Sequence, residues 1–313
     1  MYIGNGAYCY ANSASMFIRE TGEGVPPYLL EVLSGVGLGA TLYESGSLFL
    51  HNNTADPDVG ISKAMSILGY SFIENFSDQE AECPLNELRK VLETSPAILG
   101  PLDMGYLTYS PNHRFLLGAD HYILAYRMDE HFIYVHDPAG FPHVRLPLEQ
   151  LQLAWKAEKL PYGRGSYQYW HSLTRIHQPS EDEIYDKAMD FFQHLYKETG
   201  KIGATIGAKT GKEAIEAFSE KLQNQEMSED AAANLKYFVF QLGARRAGDY
   251  ARFFKEKNPE LAKLKMKQSV ILGLCHSLTV EENWLELSSV LRDFAVIEEE
   301  FESKLLSHQV AKK

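Results

Sequence analysis

Between Gln178 and Ser180 the sequence changes its period, and that change divides the chain into two differently built parts. Ahead of it lie short strand-like runs. Residues 70–76 alternate apolar and polar, as a half-buried strand does, and 96–100 are continuously apolar, as in a strand covered on both faces. Residues 121–126 and 131–137 read as two strands joined by the turn Arg127-Met128-Asp129-Glu130. After the change, only helical patterns remain. Ser180-x-x-Glu183 is a capping box, followed by a stripe of Ile184, Ala188, Phe191, Phe192 and Leu195. Further helices begin near Thr210 and Ser228, break at Asn258-Pro259, and continue over 261–278 and 284–306. The expectation is an α+β domain over residues 1–178 and an all-helical domain over 179–313.

With 313 residues, 45% hydrophobic and 23% charged, the chain suffices for two packed domains. A net charge of −12 argues against phosphate-driven nucleic-acid binding and broad attraction to anionic membranes. The three cysteines, Cys9, Cys83 and Cys275, are odd in number and form no CxxC, so neither a disulfide framework nor a structural zinc site is indicated. The start lacks a basic-then-apolar signal, and no apolar run reaches the ~20 residues of a membrane span. A cytoplasmic protein is expected, and its oligomeric state is left open.

Cys9 follows a glycine loop, Gly4-Asn5-Gly6, and opens a helical pattern through Ala11, Ala14, Phe17 and Ile18. A thiol at the first turn of a helix lies at the positive end of the dipole, which favours the thiolate nucleophile. Taken alone, a lone cysteine is more often a small packed residue. The second half of the argument lies downstream. His121 opens one strand and Asp137 closes the next, so a hairpin brings them together across 16 positions (137 − 121). A histidine held by a carboxylate and facing a helix-start cysteine is a nucleophile, base and orienter.

Other motifs dissolve on inspection. Gly35-x-Gly37-x-Gly39 and Gly207-Ala208-Lys209-Thr210-Gly211-Lys212 miss the spacings of nucleotide loops. The first suits a tight loop that lets backbone approach the core or a substrate. His131, His136 and His143 lack a ligand spacing and read as strand-face residues, with His136 directed away from Asp137. Cys83 is a packing residue or an exposed thiol without an assigned role. Arg245, Arg246, Arg252, Lys255, Lys257, Lys263, Lys265 and Lys267 concentrate positive charge. That cluster reads as a solvated helix face or as a surface that steers an acidic carrier protein.

The order of an early Cys, a late strand opening with His, and Val135-His136-Asp137-Pro138 resembles the papain-like cysteine enzymes, especially the peptidases that trim leader peptides in bacteriocin export. Residues 1–175 more closely resemble the amino-terminal domain of the butirosin biosynthesis protein H family. Cys9, the run Ser34-Gly35-Val36-Gly37-Leu38-Gly39, Ala97-Ile98-Leu99-Gly100-Pro101-Leu102-Asp103-Met104, the His121 strand, Asp137-Pro138 and Leu151-x-x-Ala154-Trp155 carry the likeness. The resemblance implies a papain-like domain, with Cys9 on an amino-terminal helix and His121 and Asp137 on an antiparallel sheet. It implies acyl transfer from a carrier-protein thioester to a small amine.

Papain-like enzymes place a Gln six residues before the Cys as an oxyanion donor, and here that position is Ile3. Asn5 is the nearest side-chain amide, at the wrong spacing. Asp103, near the cleft by resemblance, contacts a substrate amine or, more simply, caps a turn. Tyr106, Tyr109 and the 110–113 turn form a cleft rim. The scheme is covalent acyl transfer through Cys9, with the backbone N–H of Cys9 at the oxyanion, and it calls for no metal or organic cofactor. A cysteine peptidase or amidase on the same residues, and a catalytically silent binding module, are the alternatives.

Overall fold

A computed structural model describes residues 2–4, 7–78, 81–160, 162–224 and 227–308. The chain begins with α1 (Cys9–Arg19), α2 (Pro27–Ser34), β1 (Thr41–Leu42), β2 (Leu48–Phe49), α3 (Pro57–Ile67), β3 (Tyr70–Ser77) and α4 (Leu85–Leu92). β4 (Ala97–Asp103), β5 (Asp120–Met128), β6 (Phe132–Asp137), β7 (Phe141–Pro147), α5 (Leu148–Lys156) and β8 (Ser166–Arg175) follow. Then come α6 (Glu181–Thr205), β9 (Lys209–Thr210), α7 (Gly211–Gln223), α8 (Glu229–Asn234), α9 (Phe240–Phe254), α10 (Pro259–Val280) and α11 (Trp284–Ser307). The fold is mixed α/β, with antiparallel sheets and a helical carboxy-terminal region. Among the described residues no helix is long and apolar enough to cross a membrane.

Two compact units emerge: residues 1–30 with 56–180, and residues 31–55 with 181–313. The first is organised on an antiparallel sheet in the order β3-β8-β4-β5-β6-β7. One core contains Leu99, Ile123, Ala125, Ile133, Val135 and Leu146, together with Leu151 and Trp155 of α5. Trp155 donates its indole N–H to the carbonyl of Gln168 at 2.8 Å, so a large apolar ring enters the core without an orphaned donor. Gly69 sits at φ +82°, where a Cβ would lie 2.1 Å from the carbonyl oxygen of His177. Only glycine lets these two stretches of backbone meet.

α1 packs on β4 and β5. Ala11, Ala14, Phe17 and Ile18 are buried, and so is every other residue from Tyr10 to Ile18. The polar residues that interrupt the stripe find partners: Ser13 Oγ donates to the Tyr122 carbonyl at 3.1 Å and Ser15 Oγ to the Val25 carbonyl at 2.5 Å. Satisfied hydroxyls make a buried helix tolerable.

In the second unit residues 31–55 group with the helices that follow residue 180. β1 pairs with β2 and with β9, forming a three-stranded sheet of two-residue strands, too short to leave a periodic signal. The glycine run lies here. A Cβ at Gly37 would stand 2.7 Å from Cδ of Arg246, whose Nε donates to buried Glu31 at 2.7 Å. Close approach by Arg246 therefore accounts for the glycine. Ser228 and Asn258 cap their helices by accepting from Ala231 N and Leu261 N, whereas Thr210 occupies the N-cap position of α7 without a side-chain cap bond. Two members of the basic cluster, Arg246 and Lys265, are buried, and the other six are exposed. Arg246 is buried on Glu31, Lys257 pairs with Asp182, and Lys265 lies buried among Glu298, Tyr250 and Phe301.

Burial lowers the pKa of Lys265 from its ordinary 10.5 to about 8, against the opposing pull of Glu298. Between those values the unfolded chain holds a proton that the folded chain has released, so raising pH through this window favours the folded state. Comparing denaturant midpoints of wild type and Lys265→Met should show wild type gaining on the variant from pH 8 to 10. A constant difference would rule out titration of Lys265 in that window.

Candidate active site

The loop before α1 sets Cys9. Tyr8, the N-cap, holds φ 60° and ψ 52°, a left-handed conformation that costs a non-glycine residue roughly 1–2 kcal/mol. Asn12 offsets this. Its Nδ2 donates to the carbonyls of Ala7 at 2.6 Å and Tyr8 at 2.9 Å, and its backbone N–H also reaches Tyr8 O at 2.8 Å. Cys9 is thereby fixed at the first turn of α1, partly exposed. Ile3 presents only an apolar side chain. Asn5, the side chain nearest in sequence to an oxyanion donor, lies outside the described residues.

β5 and β6 pair with Leu124 opposite His136, which brings Asp137 and His121 to diagonal positions on one face. Diagonal neighbours lie within reach of long side chains. His121 Nε2 donates to Asp137 Oδ1 at 2.6 Å, with the two residues 4% and 1% exposed. Cys9 lies near enough to act on the His121 ring. Burial alone would lower the His121 pKa. The charge and hydrogen bond of Asp137, helped by Cys9, raise it to about 10. At neutral pH the ring therefore favours imidazolium.

Asp137 is secured by more than His121. Its Oδ2 accepts from the Tyr109 hydroxyl at 2.7 Å, its Oδ1 from Ala139 N at 2.7 Å, and its backbone carbonyl from the Tyr2 hydroxyl at 2.9 Å. Tyr2 in turn accepts from Gly140 N at 3.0 Å. Burial pushes the Asp137 carboxyl up, but His121, Ala139 and Tyr109 outweigh it and hold its pKa below the ordinary value. The sequence offered Tyr109 only as a rim residue and gave no role to Tyr2 or Asn12. A polar residue three places after the cysteine, inside an apolar helix, was the available clue to Asn12. The tyrosines meet Asp137 only through tertiary structure.

Asp103 ends β4, buried, and its Oδ1 accepts from Gly105 N at 2.8 Å and Gly118 N at 3.0 Å. These bonds join the two ends of the loop that carries Tyr109, so the carboxylate serves a turn. His136 stacks on Tyr126 and packs edge-on to His143. Among the described residues no three His, Cys, Asp or Glu side chains are grouped to hold a metal ion. Beside His121, Asp120 Oδ2 accepts from the Tyr162 hydroxyl at 2.5 Å. Burial, with Asp58 and Asp120 nearby, raises the Asp56 pKa to about 6. A cavity of about 200 Å³ lined by Leu160, Tyr162 and Ser166 touches none of Cys9, His121 and Asp137.

Tyr109→Phe removes a donor from a buried carboxylate, so chemical denaturation should show a loss of about 1–3 kcal/mol. An unchanged midpoint would mean that the Tyr109 bond contributes nothing to Asp137.

Comparison with known proteins adds the lineage. The family model for the YobF C-terminal domain matches residues 205–306. Uncharacterized protein YobF of Bacillus subtilis (strain 168) is 42% identical over 306 residues, covering 98% of each chain. A crystal structure from Bacillus anthracis described as a C39-like peptidase shares 14% identity over 55% of this chain and 94% of that chain. Its TM-score is 0.38. With 42% identity to the Bacillus subtilis protein over nearly the whole of both, the chain belongs to the YobF family.

Proposed function

We propose that this chain is a papain-like, cysteine-dependent acyltransferase, in the manner of the butirosin biosynthesis protein H family that its first 175 residues resemble. Cys9 is the nucleophile, His121 the acid and base, and Asp137 the residue that orients it. The observation that carries the reading is the contact series from Cys9 through His121 to Asp137, with the last bond at 2.6 Å.

In this scheme His121 takes the Cys9 proton, or holds Cys9 as an ion pair, so that the thiolate is the attacking species. The thiolate attacks the carbonyl carbon of a thioester, forming a C–S bond and a tetrahedral oxyanion. The backbone N–H of Cys9, at the positive end of α1, stabilises that charge. Collapse breaks the bond to the leaving thiol, which takes a proton from His121. A small amine then attacks the acyl-enzyme and gives a proton to His121. Release of the Cys9 thiolate yields the amide and restores the ion pair. Ile3 supplies no side-chain donor, and a thioester, more reactive than an amide, demands less of the oxyanion site. The donor is an acyl thioester, with a carrier protein as its bearer.

Iodoacetamide labelling at pH 6, read by mass spectrometry, is the first test. Cys9 should alkylate well ahead of Cys83 and Cys275, whose thiols burial pushes up to about 12 each. His121→Ala should abolish that lead, and an ordinary reaction rate at Cys9 would refute the nucleophile. Turnover with thioester and amine should then fall roughly 10²–10⁴-fold in Asp137→Asn. It should also decline as pH rises through about 10, where His121 loses its proton. Peptide cleavage without transfer would make the enzyme a peptidase. Silence on thioesters, peptides and esters alike would favour a binding module.

A further inference from the structure

α10 is apolar on two sides. Leu261, Leu264, Leu272, Cys275 and Leu278 are buried within the helical unit. On the other side Met266, Val270, Leu274 and Val280 are exposed at 52%, 68%, 45% and 48%. With exposed Lys263, Lys267, Gly273, Ser277 and Glu281 they occupy an arc of about 140° at ~100° per residue. Positions 263, 266, 270, 273, 277 and 280 alternate steps of three and four, the spacing of a helix seam. Four large apolar side chains open to water on one side of a helix mark an interaction surface.

We propose that a second copy of this chain covers it, with the two α10 helices antiparallel about a two-fold axis passing between residues 273 and 274. The charges of the stripe are self-complementary, which suits a second copy. Lys263 and Lys267 mark one end of the stripe and Glu281 the other, all exposed. Parallel pairing sets like charges together. Antiparallel pairing brings Lys267 level with residue 280 of the partner helix, next to its Glu281. The arrangement is not explained by α10 alone, since Glu281 occupies the C-cap, where the helix dipole disfavours an acid. The same axis sets residue 266 against 281 and 270 against 277, so Val270 meets small Ser277. At the midpoint Gly273 faces open space, with nothing near the place of a Cβ. The helices can approach closely there, and Leu274 of each copy covers the bare backbone.

Sedimentation velocity of the full chain over a nanomolar-to-micromolar series tests this, with circular dichroism to check folding. Wild type should dimerise reversibly. Leu274→Glu should weaken dimerisation at least about 30-fold, as loss of a central apolar anchor does. Lys267→Glu should weaken it about fivefold, and adding Glu281→Lys to that variant should restore most of the loss. A monomeric wild type, or a dimer indifferent to Leu274→Glu, overturns the interface. A double variant no tighter than Lys267→Glu overturns the antiparallel register. Should Leu274→Glu fail to fold, the surface charge variants decide the matter.

Discussion

A carboxylate with 1% exposure survives as an anion only if its charge is answered, and Asp137 is answered by three separate stretches of chain. His121 comes from the neighbouring strand, Tyr109 from the loop closed by Asp103, and Ala139 from the turn just beyond. Tyr2 adds a bond to the same residue's carbonyl and ties the amino-terminal segment to that turn. Each donor holds Asp137 in place, and Asp137 in turn holds the His121 ring and its proton. The site is thus the meeting point of several loops around one charge.

The start of α1 follows the same logic with a different currency. Tyr8 is held left-handed by a side chain one turn into the helix that it introduces. A left-handed residue before the cysteine and a clamp after it fix the backbone from which the thiol projects. Because α1 is buried from Tyr10 to Ile18, the clamp rests on a rigid support.

The helical unit also contains charges that had to be matched. Arg246 pairs with Glu31, and Lys265 lies near Glu298 and over the Phe301 ring. Glu298 is further held by Tyr196 and Gln268 at 2.6 Å each. Such pairs add little net stability compared with apolar packing, but a broken pair is costly, so they favour one arrangement of these helices. In sequence the same arginine and lysine looked like part of a basic surface.

The sequence by itself determined the change of architecture near residue 180, the helix start at Cys9 and the strand pair that unites His121 with Asp137. Each is local, resting on periodicity, capping or the register of one hairpin. Tertiary structure alone decided that residues 31–55 join the helices, that Tyr2 and Tyr109 serve Asp137, and that Asp103 secures a loop. These depend on contacts between residues far apart in the chain, which no spacing encodes. The glycine at position 37 shows the boundary well: its permissiveness was legible, but the arginine it makes room for, 209 residues away (246 − 37), was not.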